Sequence, residues 1–231
     1  MSKKEIVLAK IDKNFDKMSE LVLTQLYTLK EVITGAEIEL LKTDYENIFN
    51  REKEIDKMEI SLSNDIINAL VLHHPVASNL RMLISVQRMV LNLERVGDLV
   101  LNIVEFIKHS KDNKSLLKKN FGSISNMLVI SINMIKKSLK SYKESDKDYA
   151  IWTIKTDDVV DDLYKNNLRD IIKRSKLSDK MEKMFYQFLT INNIISNIER
   201  IGDNASNMAE AAIYYIEGKD MRHSNEELEE L

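Results

Sequence analysis

Residues 91–105, LNLERVGDLVLNIVE, decide the fold because they return as residues 196–210, SNIERIGDNASNMAE. At a constant separation of 105 residues the pair keeps Asn92/Asn197, Glu94/Glu199, Arg95/Arg200, Gly97/Gly202, Asp98/Asp203, Asn102/Asn207 and Glu105/Glu210 identical. Others keep their apolar character, among them Leu93/Ile198, Val96/Ile201 and Ile103/Met208. Recurrence over this length marks an internal duplication, which governs every later assignment. The same separation carries Glu52-x-x-x-Asp56 onto Asp157-x-x-x-Asp161. Each half therefore holds two acidic pairs at i, i+4. On a helix such residues share a face, roughly 6 Å apart, and two carboxylates repel there by about 0.2–0.5 kcal/mol. Four such pairs in register point to a shared cation.

Composition sets the class. The chain has 231 residues, 44% apolar and 31% charged, which suits a soluble protein with a sizeable core. One proline and five glycines are too few to punctuate strands and loops, so the chain is predicted to be nearly all helix. Cysteine is absent, which excludes disulfides and thiolate metal sites. A net charge of −3 gives no reason to expect a nucleic-acid partner. The N-terminus MSKKEIVLAKIDK has no apolar core of a signal peptide, and no run approaches 18 apolar residues. No membrane insertion is expected, and a cytoplasmic location follows as the default.

Helix signals divide each half into three. Ser2-x-x-Glu5 resembles a capping box, and Ile11, Phe15, Met18, Val22, Leu26 and Leu29 follow at helical spacing, predicting a helix over about 3–34. Thr43-x-x-Glu46 predicts the start of a second, ending near Leu72. His73-His74-Pro75 then breaks the chain, with Pro75 expected in the first turn of a third helix that reaches His109. The polar stretch 110–114 links the halves. Further helices are expected over about 115–143, from a cap at Ser145-x-x-Asp148 to Ser175, and from a Ser178-Asp179 cap to near Gly218. The expected organisation is all-α: two tandem, duplicated three-helix bundles, at 1–110 and 111–218, followed by an acidic tail at 219–231.

The turns bring the acidic pairs together. In an antiparallel helix pair, residues equidistant from the turn face each other. Glu52 with Asp98, and Asp56 with Glu94, are centred on Pro75; Asp157 with Asp203, and Asp161 with Glu199, are centred beside the Ser178-Asp179 cap. Each hairpin thus gathers four carboxylates about 20 residues, ~30 Å, from its turn. Glu94, Asp98, Asn102 and Glu105 form one stripe, with Leu93, Val96, Val100, Ile103 and Ile107 roughly opposite. The stripe is predicted on the outside of the bundle or in a groove at its edge, and Asn207 and Glu210 extend its counterpart beside Glu199 and Asp203. All-oxygen donor sets suit Mg²⁺, Ca²⁺, Mn²⁺ or iron. The candidate metal ligands are Glu52, Asp56, Glu94, Asp98, Asp157, Asp161, Glu199 and Asp203, with Asn102, Asn207, Glu105 and Glu210 as possible outer ligands. Arg95 and Arg200 are expected to pair with carboxylates. Gly97 and Gly202 are expected to admit a close neighbour, since mid-helix glycine costs about 1 kcal/mol relative to alanine.

These residues resemble the PhoU family, accessory proteins of bacterial phosphate uptake and phosphate signalling. The resemblance rests on Leu93-Glu94-Arg95-Val96-Gly97-Asp98, Ile198-Glu199-Arg200-Ile201-Gly202-Asp203 and Pro75-Val76-Ala77-Ser78-Asn79-Leu80-Arg81. Asn79 replaces an aspartate of the family pattern, and Leu99 and Asn204 stand where the family often has histidine after the motif aspartate. The resemblance implies paired three-helix bundles, a homodimer, and divalent metal (iron, manganese or magnesium) on the E/D-x-x-x-D motifs. It also implies a non-catalytic negative regulator of the phosphate-starvation response, with the ATPase subunit of the phosphate ABC transporter and a sensor histidine kinase as partners. Two alternatives compete. A di-iron carboxylate enzyme would need Glu-x-x-His, but the residues three before the four histidines are Leu70, Val71, Phe106 and Asp220. A metal-free helical scaffold or adaptor is the other.

Overall fold

The computed structural model describes residues 2–35, 40–109, 114–174 and 181–221. Six helices follow in order: α1 (Lys3–Thr34), α2 (Lys42–His73), α3 (Ser78–His109), α4 (Lys114–Glu144), α5 (Lys147–Arg174) and α6 (Met181–Glu217). No strand occurs among the described residues. The Ser178-Asp179 cap and most of the acidic tail lie outside them.

The helix ends show where local chemistry decides and where it does not. The Ser2 box forms in full: Ser2 Oγ accepts from the Glu5 N–H, and the Glu5 carboxylate accepts from the Ser2 N–H. The box expected at Thr43 does not form. Leu41 is the cap, with extended backbone and no side-chain hydrogen bond, and the N–H groups of Asp44 and Tyr45 turn back to its carbonyl. The helix begins two residues early, which leaves Thr43 inside it. Pro75 likewise lies in the connection rather than in a first helical turn. His74 and Ala77 both have positive φ (41° and 49°), so α3 starts only at Ser78. At α5 the cap is Asp146, whose carboxylate accepts from the Asp148 N–H; the expected Ser145 instead has φ 53°. α6 ends at Glu217, and Gly218 follows with φ 76°, a conformation that suits glycine.

In the first half, α1 packs on both α2 and α3; in the second, α4 packs on α5 and α6. The halves then join through α3 on α6 and α1 on α4. One continuous apolar core results, running from Ile11 through Leu93 and Val100 to Ile198 and Ala212. Polar contacts fasten the joint. Tyr142 stands edge-on to Phe15 at 5.4 Å, its hydroxyl 3.1 Å from Asp12 Oδ1, and Lys143 pairs with Asp16 at 2.8 Å. Arg81, from the first-half motif, donates to the carbonyl of Tyr215 near the end of α6. The consequence for the site is direct: α2 and α5 lie away from this joint, so each hairpin keeps one face outward.

Candidate metal centre

The turn at residues 74–77 sets the α2–α3 register, and the Gln87 amide confirms it by donating to Ser63 Oγ at 2.9 Å. In this register Glu52, Asp56 and Asp98 can each present a carboxylate oxygen within 4.8 Å of the others. In the second half Asp161, Glu199 and Asp203 do the same. Asp56 and Asp98 recur as Asp161 and Asp203. Glu94 and Asp157 complete the two sets of four without entering the tight groups. They share the field nonetheless: burial raises the Glu94 carboxyl, helped by Asp98 and Asp56, and burial raises Asp157 to about 7, helped by Asp203 and Asp161. Burial and then Asp56 push Glu52 to about 7, and burial and then Asp203 push Glu199 to about 7. Asp98 and Asp203 are raised too, by burial and then by Asp56 and Asp161 respectively. Burial and mutual repulsion both disfavour the charged form of crowded carboxylates.

Local packing explains why the clusters sit where they do. Ile55 and Val160, beside the acids on α2 and α5, are buried; Gly97 and Gly202 are buried opposite them. A β-carbon at Gly97 would stand 3.3 Å from Ile55 Cδ1 and 3.4 Å from Gln25 Oε1, so this glycine does admit a close neighbour. At Gly202 the nearest atoms are Val160 Cγ1 at 3.4 Å and Asp157 Oδ1 at 3.5 Å. That Asp157 oxygen is buried with no hydrogen-bond partner among the described residues. An orphaned carboxylate oxygen beside an all-oxygen donor set fits a hard divalent cation.

Several expected residues have other duties. Glu105 accepts a hydrogen bond from the Tyr45 hydroxyl and lies near Lys108 and His109, so it is held away from the cluster. Asn102 and Asn207 are exposed. Arg95 and Arg200 are exposed and form no ion pair among the described residues; they act on the neighbouring Glu94 and Glu199 only through their charge. Leu99 and Asn204 are buried on a different face from the carboxylates, and the Asn204 amide donates to the Arg200 carbonyl. The sequence reading missed Gln25, a fully buried amide behind Gly97 that donates to the Ile48 carbonyl. Its signal was a polar residue on the apolar stripe of α1.

Two fused three-helix repeats, each with a carboxylate cluster on its outward hairpin, define a duplicated helical scaffold equipped to hold cations. The PhoU domain model matches residues 15–107 and 124–212, and the chain belongs to the PhoU family. This is a family of accessory proteins, not of enzymes. The chain is 28% identical over 204 residues to phosphate-specific transport system accessory protein PhoU homolog 1 of Thermotoga maritima, covering 85% of this chain and 84% of that one. To the accessory protein PhoU of Escherichia coli it is 26% identical, covering 80% and 75%. Among solved structures, a Streptococcus pneumoniae phosphate transport system regulatory protein PhoU superposes with a TM-score of 0.79 at 21% identity, covering 94% of this chain and 99% of that one. PhoU from Pseudomonas aeruginosa gives 0.76 at 22%, covering 93% and 99%. At these identities the superpositions establish the fold.

Proposed function

We propose that this chain is an accessory protein of a phosphate-specific transport system that holds the phosphate-starvation response off when phosphate is plentiful. It acts as a cytoplasmic homodimer between the ATPase subunit of the phosphate ABC transporter and a sensor histidine kinase. Residues 1–110 and 111–218 are its two bundles. The observation that carries the reading is the double match to the PhoU domain, supported by relatives named as phosphate-transport accessory proteins. No helix among the described residues is long and apolar enough to cross a membrane, which suits a protein recruited to a transporter rather than inserted beside it.

Divalent metal (iron, manganese or magnesium) is the proposed ligand of Glu52, Asp56, Glu94 and Asp98 in one repeat and of Asp157, Asp161, Glu199 and Asp203 in the other. When bound, the ion supplies positive charge that cancels carboxylate repulsion. The residues themselves hold α2 to α3 and α5 to α6, and so set the spacing of the outward hairpin faces that a partner meets.

The test is deletion in the native host with complementation. Loss of the chain should derepress phosphate-starvation genes in rich phosphate, and the wild-type copy should restore repression. Unchanged expression in the deletion strain overturns the regulator reading. A separate measurement addresses the metal. Mn²⁺, Mg²⁺ or Fe²⁺ should raise the melting temperature of the purified protein, since a ligand specific to the folded state stabilises it. Asp98→Ala with Asp203→Ala should abolish that response while leaving helicity intact, because the core residues are untouched. A double variant that keeps the full response would show that the clusters are only acidic surface.

A further inference from the structure

The outward face of the first hairpin carries a second feature that the carboxylates do not use. On α2, Ile60, Ile67 and Val71 fall on one face; on α3, Leu80 and Leu91 do, with Ile84 half-buried between them. The five exposed side chains range from 40% exposed at Leu80 to 61% at Val71. Val71 with Leu80, Ile67 with Ile84, and Ile60 with Leu91 share one midpoint, between Pro75 and Val76, half a residue past the Gln87–Ser63 midpoint at Pro75. They form two exposed rows, one on each helix, over three helical turns, ~16 Å long. Isolated apolar residues on a surface are ordinary, but a contiguous patch marks an interaction site.

The duplication supplies an internal control. The second hairpin must meet the same folding requirements, yet Lys165 stands at the position of Ile60 and Ser196 at that of Leu91. Lys165 turns to the cluster, with Nζ 3.8 Å from Asp161 Oδ2. The aliphatic side chains at 60 and 91 are therefore not needed to build the hairpin.

We propose that this ladder is a docking groove for an amphipathic helix of a partner protein that carries lysines or arginines at one end. The argument for the charge is what the groove runs into. Below Ile60 come Glu59, which accepts from Ser63 Oγ at 2.9 Å, and then Asp56, Glu94, Glu52 and Asp98. One divalent ion brings two positive charges against the four cluster carboxyl groups and Glu59, so acidic groups outnumber the charge of the metal at this end. An apolar seam between two helices is the surface into which an amphipathic helix lays its apolar face. A second copy of the chain fits less well. Face to face about a two-fold axis, its turn, residues 72–78, LHHPVAS, would meet the acidic end, and that turn has no lysine or arginine.

The test uses the full-length protein and fluorescently labelled peptides of ~18 residues, five helical turns. They carry leucines at the spacing of the ladder and three terminal residues that are either lysine or glutamate. The lysine peptide should bind about tenfold more tightly than the glutamate peptide, ~1.4 kcal/mol. Ile60→Lys with Leu91→Ser, which copies the second hairpin, should weaken it by a similar factor while circular dichroism and melting temperature hold. Glu59→Gln should weaken the lysine peptide alone, a readout that does not depend on the double variant. Equal binding of the two peptides, or binding unchanged in Ile60→Lys/Leu91→Ser, overturns the proposal. So does a shift of that variant to a smaller species in sedimentation, which assigns the face to a second copy. Loss of its binding to phosphatidylglycerol vesicles in the absence of peptide binding assigns the face to lipid and overturns the proposal as well.

Discussion

Gly97 and Gly202 occupy equivalent positions but meet different neighbours, and this separates the cost of glycine from its use. In a helix interior glycine is about 1 kcal/mol less favourable than alanine. At Gly202 an added β-carbon would make ordinary contacts, at 3.4 Å from Val160, 3.5 Å from Asp157 Oδ1 and 3.7 Å from Met134. Gly202→Ala should therefore gain up to ~1 kcal/mol in the metal-free protein, measured by urea denaturation. Its methyl group would also cover the orphaned Asp157 oxygen and so weaken stabilisation by metal. At Gly97 the same change sets a carbon 3.3 Å from Ile55 Cδ1 and 3.4 Å from the buried Gln25 Oε1. Ile55 or Gln25 must yield there, so Gly97→Ala should gain nothing or lose stability. Equal gains at both sites would show that the close approach at Gly97 is unimportant. The sequence motif showed both glycines but not this difference, because it arises from Gln25 and Met134 on helices outside the repeated stretch.

At the level of the helical hairpin, the carboxylates tie stability to pH in a direction opposite to the usual one. Glu52, Asp157 and Glu199 are held near 7 in the folded protein, against ordinary values of 4.5, 3.8 and 4.5, with burial as the first cause in each. Without metal, the folded chain binds these protons more tightly than the unfolded chain does. Stability is then highest below the ordinary carboxylate range and falls as pH rises toward 7. The metal-free protein should melt at a higher temperature at pH 5.5 than at pH 8. Saturating Mn²⁺ should flatten or reverse the order, because metal binds the deprotonated groups. A melting temperature that instead rises from pH 5.5 to 8 without metal would contradict the repulsive arrangement. The hairpin was legible from the 105-residue repeat and the shared midpoint near Pro75, since helical spacing and an antiparallel turn determine which residues face each other. The helix starts were less legible. Leu41 caps α2 through its backbone alone, and positive φ at Ala77 delays α3 past Pro75; neither leaves a side-chain signature. Tyr45 taking Glu105 away from the acidic stripe was also hidden, because it depends on how α2 meets α3 far from the turn.

Across the whole molecule, the duplication was visible but the fusion of its halves was not. A single apolar stripe on α3, opposite the carboxylates, is enough to pack one three-helix bundle. The structure buries more than that stripe: Leu83, Met89, Leu99 and Val104 are buried as well as Leu93, Val96 and Val100. The excess reflects the second neighbour, α6, and a helix apolar over more than one face is the sequence signal that marks it. On α4, Ser138 Oγ lies 2.9 Å from the Met134 carbonyl and 2.7 Å from that of Ala205 on α6, and its one proton serves either, letting the two helices approach closely. The repeat register also breaks at the first helix of each half: Gly97 meets Gln25 whereas Gly202 meets Met134, 109 positions apart rather than 105. With one core spanning both halves, unfolding should be a single cooperative event. Trp152, the only tryptophan, reports on the second half, while far-UV ellipticity reports on all six helices, and the two thermal transitions should coincide. Tyr142 is the sharpest probe of the joint, being 7% exposed between Phe15 and Tyr215 with its hydroxyl on Asp12. Tyr142→Phe loses only the hydrogen bond and should cost ~0.5–1.5 kcal/mol. Tyr142→Ala removes the ring and should cost about 3–5 kcal/mol, as for other buried aromatics. Both variants should move the Trp152 and ellipticity transitions together. If Tyr142→Ala separates them, so that Trp152 melts while much of the helical signal remains, the halves are independent units and the shared core does not couple them.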